Sequence, residues 1–189
     1  MDVKTIAVIG AGTLGRGIAY AAALGGYKTV LEDISPRALE QAEAWIRQSF
    51  EEGVARYGLE AGVRVKALSL ISAATDVKDA IREAELIIET VPDELEMKLE
   101  LFTIFDKFAK TGAVFASSAT SLSISDFTDI VVFRERCIGM HFFDPAPKME
   151  RIELVRTPYT SEETVATCRE VARRMGKEVA VVNEVPQSV

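Results

Sequence analysis

The chain has 189 residues, 48% of them hydrophobic, and a formal charge of −7. That is enough apolar material for one sizeable core. The acidic excess argues against a nucleic-acid binder, which needs cations to neutralise phosphates, and no apolar run approaches the ~18 residues of a membrane span.

The N-terminal stretch shows no signal-peptide pattern. Cys137 and Cys168 are far apart and flanked by no metal-ligand spacing, so they read as reduced, buried thiols of a cytoplasmic protein, with no metal site. Residues 4–10, "KTIAVIG", are a short β-branched run, as in a strand buried on both faces. Residues 13–26 are Ala/Leu-rich and stop at Gly25-Gly26, as a helix does. A second strand at 27–33 ends in acids. A long helix at 35–58 opens with Ser35 as cap and Pro36 at its first position, and Gly58 closes it. Then follow a strand at 67–73, a short helix at 76–84, a strand at 85–91 and an amphipathic helix at 93–112. Strands at 113–119, 136–143 and 151–155, a helix at 161–176 and a last strand at 177–183 complete the pattern.

Strand and helix alternate through the first two-thirds. That calls for an α/β fold, a doubly wound, mainly parallel sheet covered by helices. The late strands are closely spaced, which predicts an antiparallel edge.

"GAGTLG" sets Gly10, Gly12 and Gly15 in a G-x-G-x-x-G turn. Alone the pattern is weak. Here it follows a strand, opens a helix, and is followed by Asp33 at the end of the second strand, which is the Rossmann context for a dinucleotide. Gly10 permits the tight turn, Gly12 lets the diphosphate approach the backbone, and Gly15 lets the helix pack close. Thr13 and Leu14 lie in the same turn, where the helix N-terminus offers free N–H groups. Asp33, with Ile34 beside it, reads as the adenosine-ribose contact, favouring NAD over NADP. The alternative is a packing turn with a solvated Asp33.

"GMHFFDPAP" holds the chain's one histidine, His141, at the end of a strand and before a proline-broken loop. In "RIELV", alternation turns Glu153 away from its apolar neighbours and makes it a candidate partner for an imidazole on an adjacent strand. A carboxylate beside a histidine orients the ring and favours its charged form, which suits a hydroxyl-proton base. The bland readings are a core histidine and a surface glutamate. "ASSATSLSIS" supplies Thr120 or a neighbouring serine to a substrate oxygen. Equally, it supplies a turn with Ser123 capping a helix at 124–130.

Together "IAVIGAGTLGRGIA", "LIIETVPDELEMKLELF", "FASSATSLSIS", "IGMHFFDPAPKMERIELV" and "TSEETVATCREVARRMGK" resemble the NAD-binding domain of the 3-hydroxyacyl-CoA dehydrogenases along essentially the whole chain. The resemblance implies hydride transfer between C3 of an L-3-hydroxyacyl-CoA and NAD. It implies His141 as general acid/base paired with Glu153, and the Thr120 hydroxyl on the substrate oxygen. Asp93 and Lys98 are implied at the nicotinamide-side ribose, and Ser49 and Arg56 at coenzyme A. It further implies that 1–185 form the NAD-binding domain and that 186–189 begin a connection to a C-terminal helical domain absent from this chain. The full-length enzyme would dimerise through that domain.

The sequence departs from the family pattern in several places. Thr120 replaces a serine, Ser118 an asparagine and Asp93 a glutamate. Asp144 stands where an amide is usual, and "EVPQSV" lacks the usual glycine. These departures leave open a related dehydrogenase of a non-CoA hydroxy acid, or a non-catalytic NAD-binding domain.

Overall fold

A computed structural model describes residues 1–143 and 150–184. Asp144, the proline-broken loop around Pro145 and Pro147, the boundary at 185 and the connection at 186–189 lie outside the described residues.

Eight strands form one sheet in the order β3-β2-β1-β4-β5-β6-β7-β8. β1 (Thr5–Ile9) is parallel to β2 (Lys28–Glu32) on one side and to β4 (Leu86–Glu89) on the other. β3 (Ile71–Ala74), β5 (Val114–Ser117) and β6 (Cys137–Phe142) extend the parallel set. β7 (Arg151–Arg156) runs antiparallel to β6, because the link between them is too short for a helical crossover. β8 (Glu178–Asn183) then runs parallel to β7, across the crossover helix α7 (Glu162–Arg174). The predicted antiparallel edge is thus a single reversal, kept by the last strand. Strand order also turns back at β1, since β2 and β3 lie to one side and β4 onward to the other. That switch opens a crevice at the carboxyl ends of the strands.

Both faces of the sheet are covered, as the apolar strands require. Ile6 and Val8 of β1 face α1 (Thr13–Leu24), α2 (Pro36–Tyr57), α3 (Ala61–Ser69) and α7 in one core. Ala7 and Ile9 face α4 (Val77–Ile81), α5 (Leu95–Phe108) and α6 (Ile124–Thr128) in the other. There Phe102 packs edge-on against Phe127, with centroids 5.0 Å apart. Ser35 caps α2 by accepting from the Ala38 N–H, and Gly58 ends it in the left-handed region at φ 72°.

Two expectations are corrected. Residues 67–69 belong to α3, and β3 starts only at Ile71. The short apolar stretch fits either element. Ala67, Leu68 and Leu70 meet the core, while Val63 and Val65 stay exposed, so the strand reading had too little periodicity to stand on. Ser123 sits at the start of α6 but does not cap it. Its hydroxyl instead donates to Glu184, whose carboxylate also accepts from the Ser125 N–H and hydroxyl.

Cys137 and Cys168 are free, and burial pushes each thiol up to about 12, so neither is a nucleophile near neutral pH. No helix among the described residues is long and apolar enough to cross a membrane.

Candidate active site

The three turn glycines are present for different reasons. Gly10 has φ +102°, and a Cβ there would come within 2.8 Å of Thr90 Oγ1. At Gly15 a Cβ would fall 1.8 Å from the Gly10 carbonyl oxygen. Those two are demanded by packing. Gly12 is different: it is exposed, has an extended backbone, and a Cβ would meet nothing within 4 Å. Among the described residues nothing forbids a side chain there, so the open space suits a diphosphate meeting the uncapped N-terminus of α1. Thr13 is exposed on this opening, and Leu14 packs partly against the core.

Asp33 follows β2 and is built into the turn. Its carboxylate accepts from the Ala11 N–H at 2.9 Å and from the Ser35 N–H at 2.9 Å. One acidic side chain thus joins the glycine turn to the start of α2, with oxygen lone pairs left for ribose hydroxyls. Ile34 beside it is 88% exposed, an apolar platform at the rim.

Glu32, just inside, is buried. Burial, with the nearby Asp33 and Asp76 charges, raises its carboxyl to about 7. The folded state therefore holds this proton more tightly than the unfolded chain. Its contribution is full below about 4.5 and is lost as pH rises through about 7. Glu32→Gln should remove that loss. Urea unfolding at pH 5 and pH 8 should show the variant gaining about 1–3 kcal/mol on the wild type between the two. An unchanged difference would refute the assignment.

At the carboxyl ends of β4 and β5 lies a buried polar cluster. Lys98 of α5 has no exposed surface, and its Nζ donates to both Glu89 oxygens at 2.9 Å. Glu89 also accepts from Ser117 Oγ at 2.6 Å and from the Val91 N–H at 2.7 Å. Asp93 Oδ1 lies 3.2 Å from Lys98 Nζ. Its Oδ2 accepts from the Thr120 N–H, the Ser121 N–H and the Ser121 hydroxyl at 2.7–3.0 Å. Burial opposes ionisation of Asp93. The bonds from Ser121, Thr120 and Lys98 together outweigh it and hold the carboxyl at about 2. So Asp93 fixes the loop that carries the exposed Thr120. Lys98 is a partner of Glu89 and Asp93. A direct ribose contact, which the family resemblance implies for it, would require one of those bonds to be given up.

His141 and Glu153 face each other as a residue pair on antiparallel β6 and β7. His141 Nδ1 lies 3.6 Å from Glu153 Oε2, an ion-pair distance, and both side chains are partly exposed. His141 Nε2 is buried and has no hydrogen-bond partner among the described residues. One ring nitrogen thus lies near a carboxylate, and the other is enclosed with no partner among the described residues. Ser117 of β5 pairs with Gly139 of β6, so Thr120 and His141 leave neighbouring parallel strands at the same edge.

Ser49 and Arg56 lie on α2, half-buried and exposed respectively, and neither bonds to the groups above. Glu89, Ser117 and Thr90, which braces the glycine turn through the Ile9 and Gly10 carbonyls, were not anticipated. The readable sign was a glutamate closing an otherwise apolar strand nine residues before a lysine. An open concavity of about 780 Å³ at the amino ends of the strands, lined in part by Lys4, Lys28, Glu85 and Lys110, involves none of these groups.

A profile of the family described as 3-hydroxyacyl-CoA dehydrogenase, NAD binding domain, matches residues 5–185. Over 189 aligned residues the chain is 34% identical to the mitochondrial hydroxyacyl-coenzyme A dehydrogenase of Sus scrofa, covering 97% of this chain and 60% of that protein. It is 36% identical to a 3-hydroxybutyryl-CoA dehydrogenase of Bradyrhizobium diazoefficiens, covering 97% and 62%. The fold is similar to that of 3-hydroxybutyryl-CoA dehydrogenase from Escherichia coli K12, with TM-score 0.94, 33% identity, and coverage of 98% and 39%. The chain therefore spans about three-fifths of the length of these curated relatives.

Proposed function

The chain belongs to the NAD-binding-domain family of the 3-hydroxyacyl-CoA dehydrogenases, and from that premise we propose that it oxidises the 3-hydroxyl of an L-3-hydroxyacyl-CoA, with His141 as general acid/base. The observation that carries this reading is the histidine itself. Nδ1 is turned to Glu153, and Nε2 is enclosed with no partner among the described residues.

NAD, when bound, supplies the hydride acceptor. Gly12, Thr13 and Leu14 at the α1 N-terminus would hold its diphosphate and Asp33 its adenosine ribose hydroxyls, with Ile34 as an apolar contact beside them. His141 Nε2 takes the hydroxyl proton, and Glu153 steadies the charge that forms on the ring. The Thr120 hydroxyl donates to the same substrate oxygen, from a loop whose backbone Asp93 holds. Asp93 would also contact the nicotinamide-side ribose, held by its ion pair with Lys98. Ser49 and Arg56 meet coenzyme A.

The direct test is NADH formation from L-3-hydroxybutyryl-CoA by the purified protein. Alongside it, calorimetry should show Asp33→Ala weakening NAD about tenfold and narrowing the preference over NADP. A wild type that prefers NADP would refute the role given to Asp33. Turnover of a free hydroxy acid but not of the CoA ester would refute the substrate.

A further inference from the structure

Arg16, in the first turn of α1, takes no part in the proton chemistry. Its guanidinium lies over the Trp45 ring of α2, 4.8 Å from the ring centroid. Such a contact uses the flat face of the cation and leaves the in-plane N–H donors to other partners. Nε is buried with no hydrogen-bond partner among the described residues. No carboxylate lies within ion-pair distance of Arg16 among the described residues, so its in-plane donors are not engaged by a protein anion. Arg64 also has a buried, unpartnered Nε, but of these two only Arg16 lies on the Trp45 ring, beside the glycine turn.

The surroundings indicate what it waits for. Trp45, Ser49 and Arg56 are offset by 4 and 11 residues along α2, which at 3.6 residues per turn places them within about 40° of one face. That face carries a guanidinium on an indole, then a hydroxyl, then a second guanidinium about 16 Å further along the axis. Arg16 belongs to the cofactor end, because α1 starts at the glycine turn. Arg56 lies in the last turn of α2, far from it.

We propose that Arg16, held flat by Trp45, binds the diphosphate of coenzyme A, with Arg56 taking the more distant phosphate of the same nucleotide. This rests on the acyl-CoA reading and adds to it the group that anchors the thioester arm as it runs toward His141. The planar fork of an arginine matches two phosphate oxygens at once. NAD also carries a diphosphate, but the uncapped N–H groups at Gly12 serve that one, while the Arg16 guanidinium is held on Trp45 of α2.

Trp45 is the one tryptophan of the chain, so its emission reports on this spot alone. With NAD already saturating, coenzyme A should change Trp45 emission saturably, and pantetheine, which lacks the nucleotide, should not. By calorimetry, Arg16→Met should raise the Kd for coenzyme A about tenfold. Arg16→Lys, which keeps the charge without the fork, should fall between, with melting temperatures confirming that both variants fold. An unchanged Kd in Arg16→Met overturns the assignment and leaves the acyl-CoA reading standing. A Trp45 response produced wholly by NAD overturns it in favour of the dinucleotide. A wild type that binds NAD but not coenzyme A overturns both this assignment and the acyl-CoA substrate.

Discussion

His141→Ala is expected to lower turnover by about 10²–10⁴-fold, the range for loss of a general acid–base group, and to leave NAD affinity nearly intact. The two effects separate because the residues proposed for the nucleotide lie at the start of α1 and in the segments after β1, β2 and β4, whereas His141 is on β6. Glu153→Gln should cost less. The amide can still face Nδ1 but no longer balances the charge that develops on the ring. The competing possibility is a core histidine. His141 has a buried nitrogen, so a structural role predicts a lower melting temperature with normal turnover per folded molecule. Stopped-flow measurement of NADH formation, normalised to folded protein, distinguishes the two. Normal turnover in folded His141→Ala would remove the histidine from the chemistry.

Much of this frame could be read from the residues before any coordinates. The glycine turn was legible because its parts are local: a strand, six residues and a helix start, with Asp33 following within one further strand. Unbroken apolar runs placed β1 and β4, and helical periodicity placed the long helix α2. Residues 61–74 failed for the opposite reason. Two short elements share an apolar stretch there, and only contact with α1 and α2 separates the α3 helix from the β3 strand. Contacts across the chain left the weakest trace. The Glu184 cap on α6 joins residues some sixty positions apart, and no local rule distinguishes it from Ser123. Arg16 and Trp45 are ordinary helix residues until α1 crosses α2. The burial of Lys98 left only the indirect sign of a glutamate closing an apolar strand, because a lysine on an amphipathic helix is normally solvated. It becomes legible only when Glu89 ends the neighbouring strand directly beneath it.

Lys98→Met should cost about 3–5 kcal/mol of stability, the usual result of removing one partner from a buried pair. In a domain of this size that lowers the melting temperature by roughly 6–20 °C. The cost arises from what remains. Glu89 stays fully buried, bonded to the Ser117 hydroxyl and the Val91 N–H but with no cation beside it. The double variant Lys98→Met with Glu89→Gln tests that cause, since it removes the stranded charge while leaving an oxygen for Ser117. It should recover more than half of the loss, because apolar or neutral replacements of buried pairs are often nearly neutral. Recovery of stability need not restore activity. Asp93 would then hold the Thr120 loop without the ammonium 3.2 Å away, and with a looser loop kcat should fall while NAD affinity changes little. If the double variant is as unstable as the single one, the damage comes from lost packing of the lysine stem. If it is as active as the wild type, the buried cluster serves folding and not the position of Thr120.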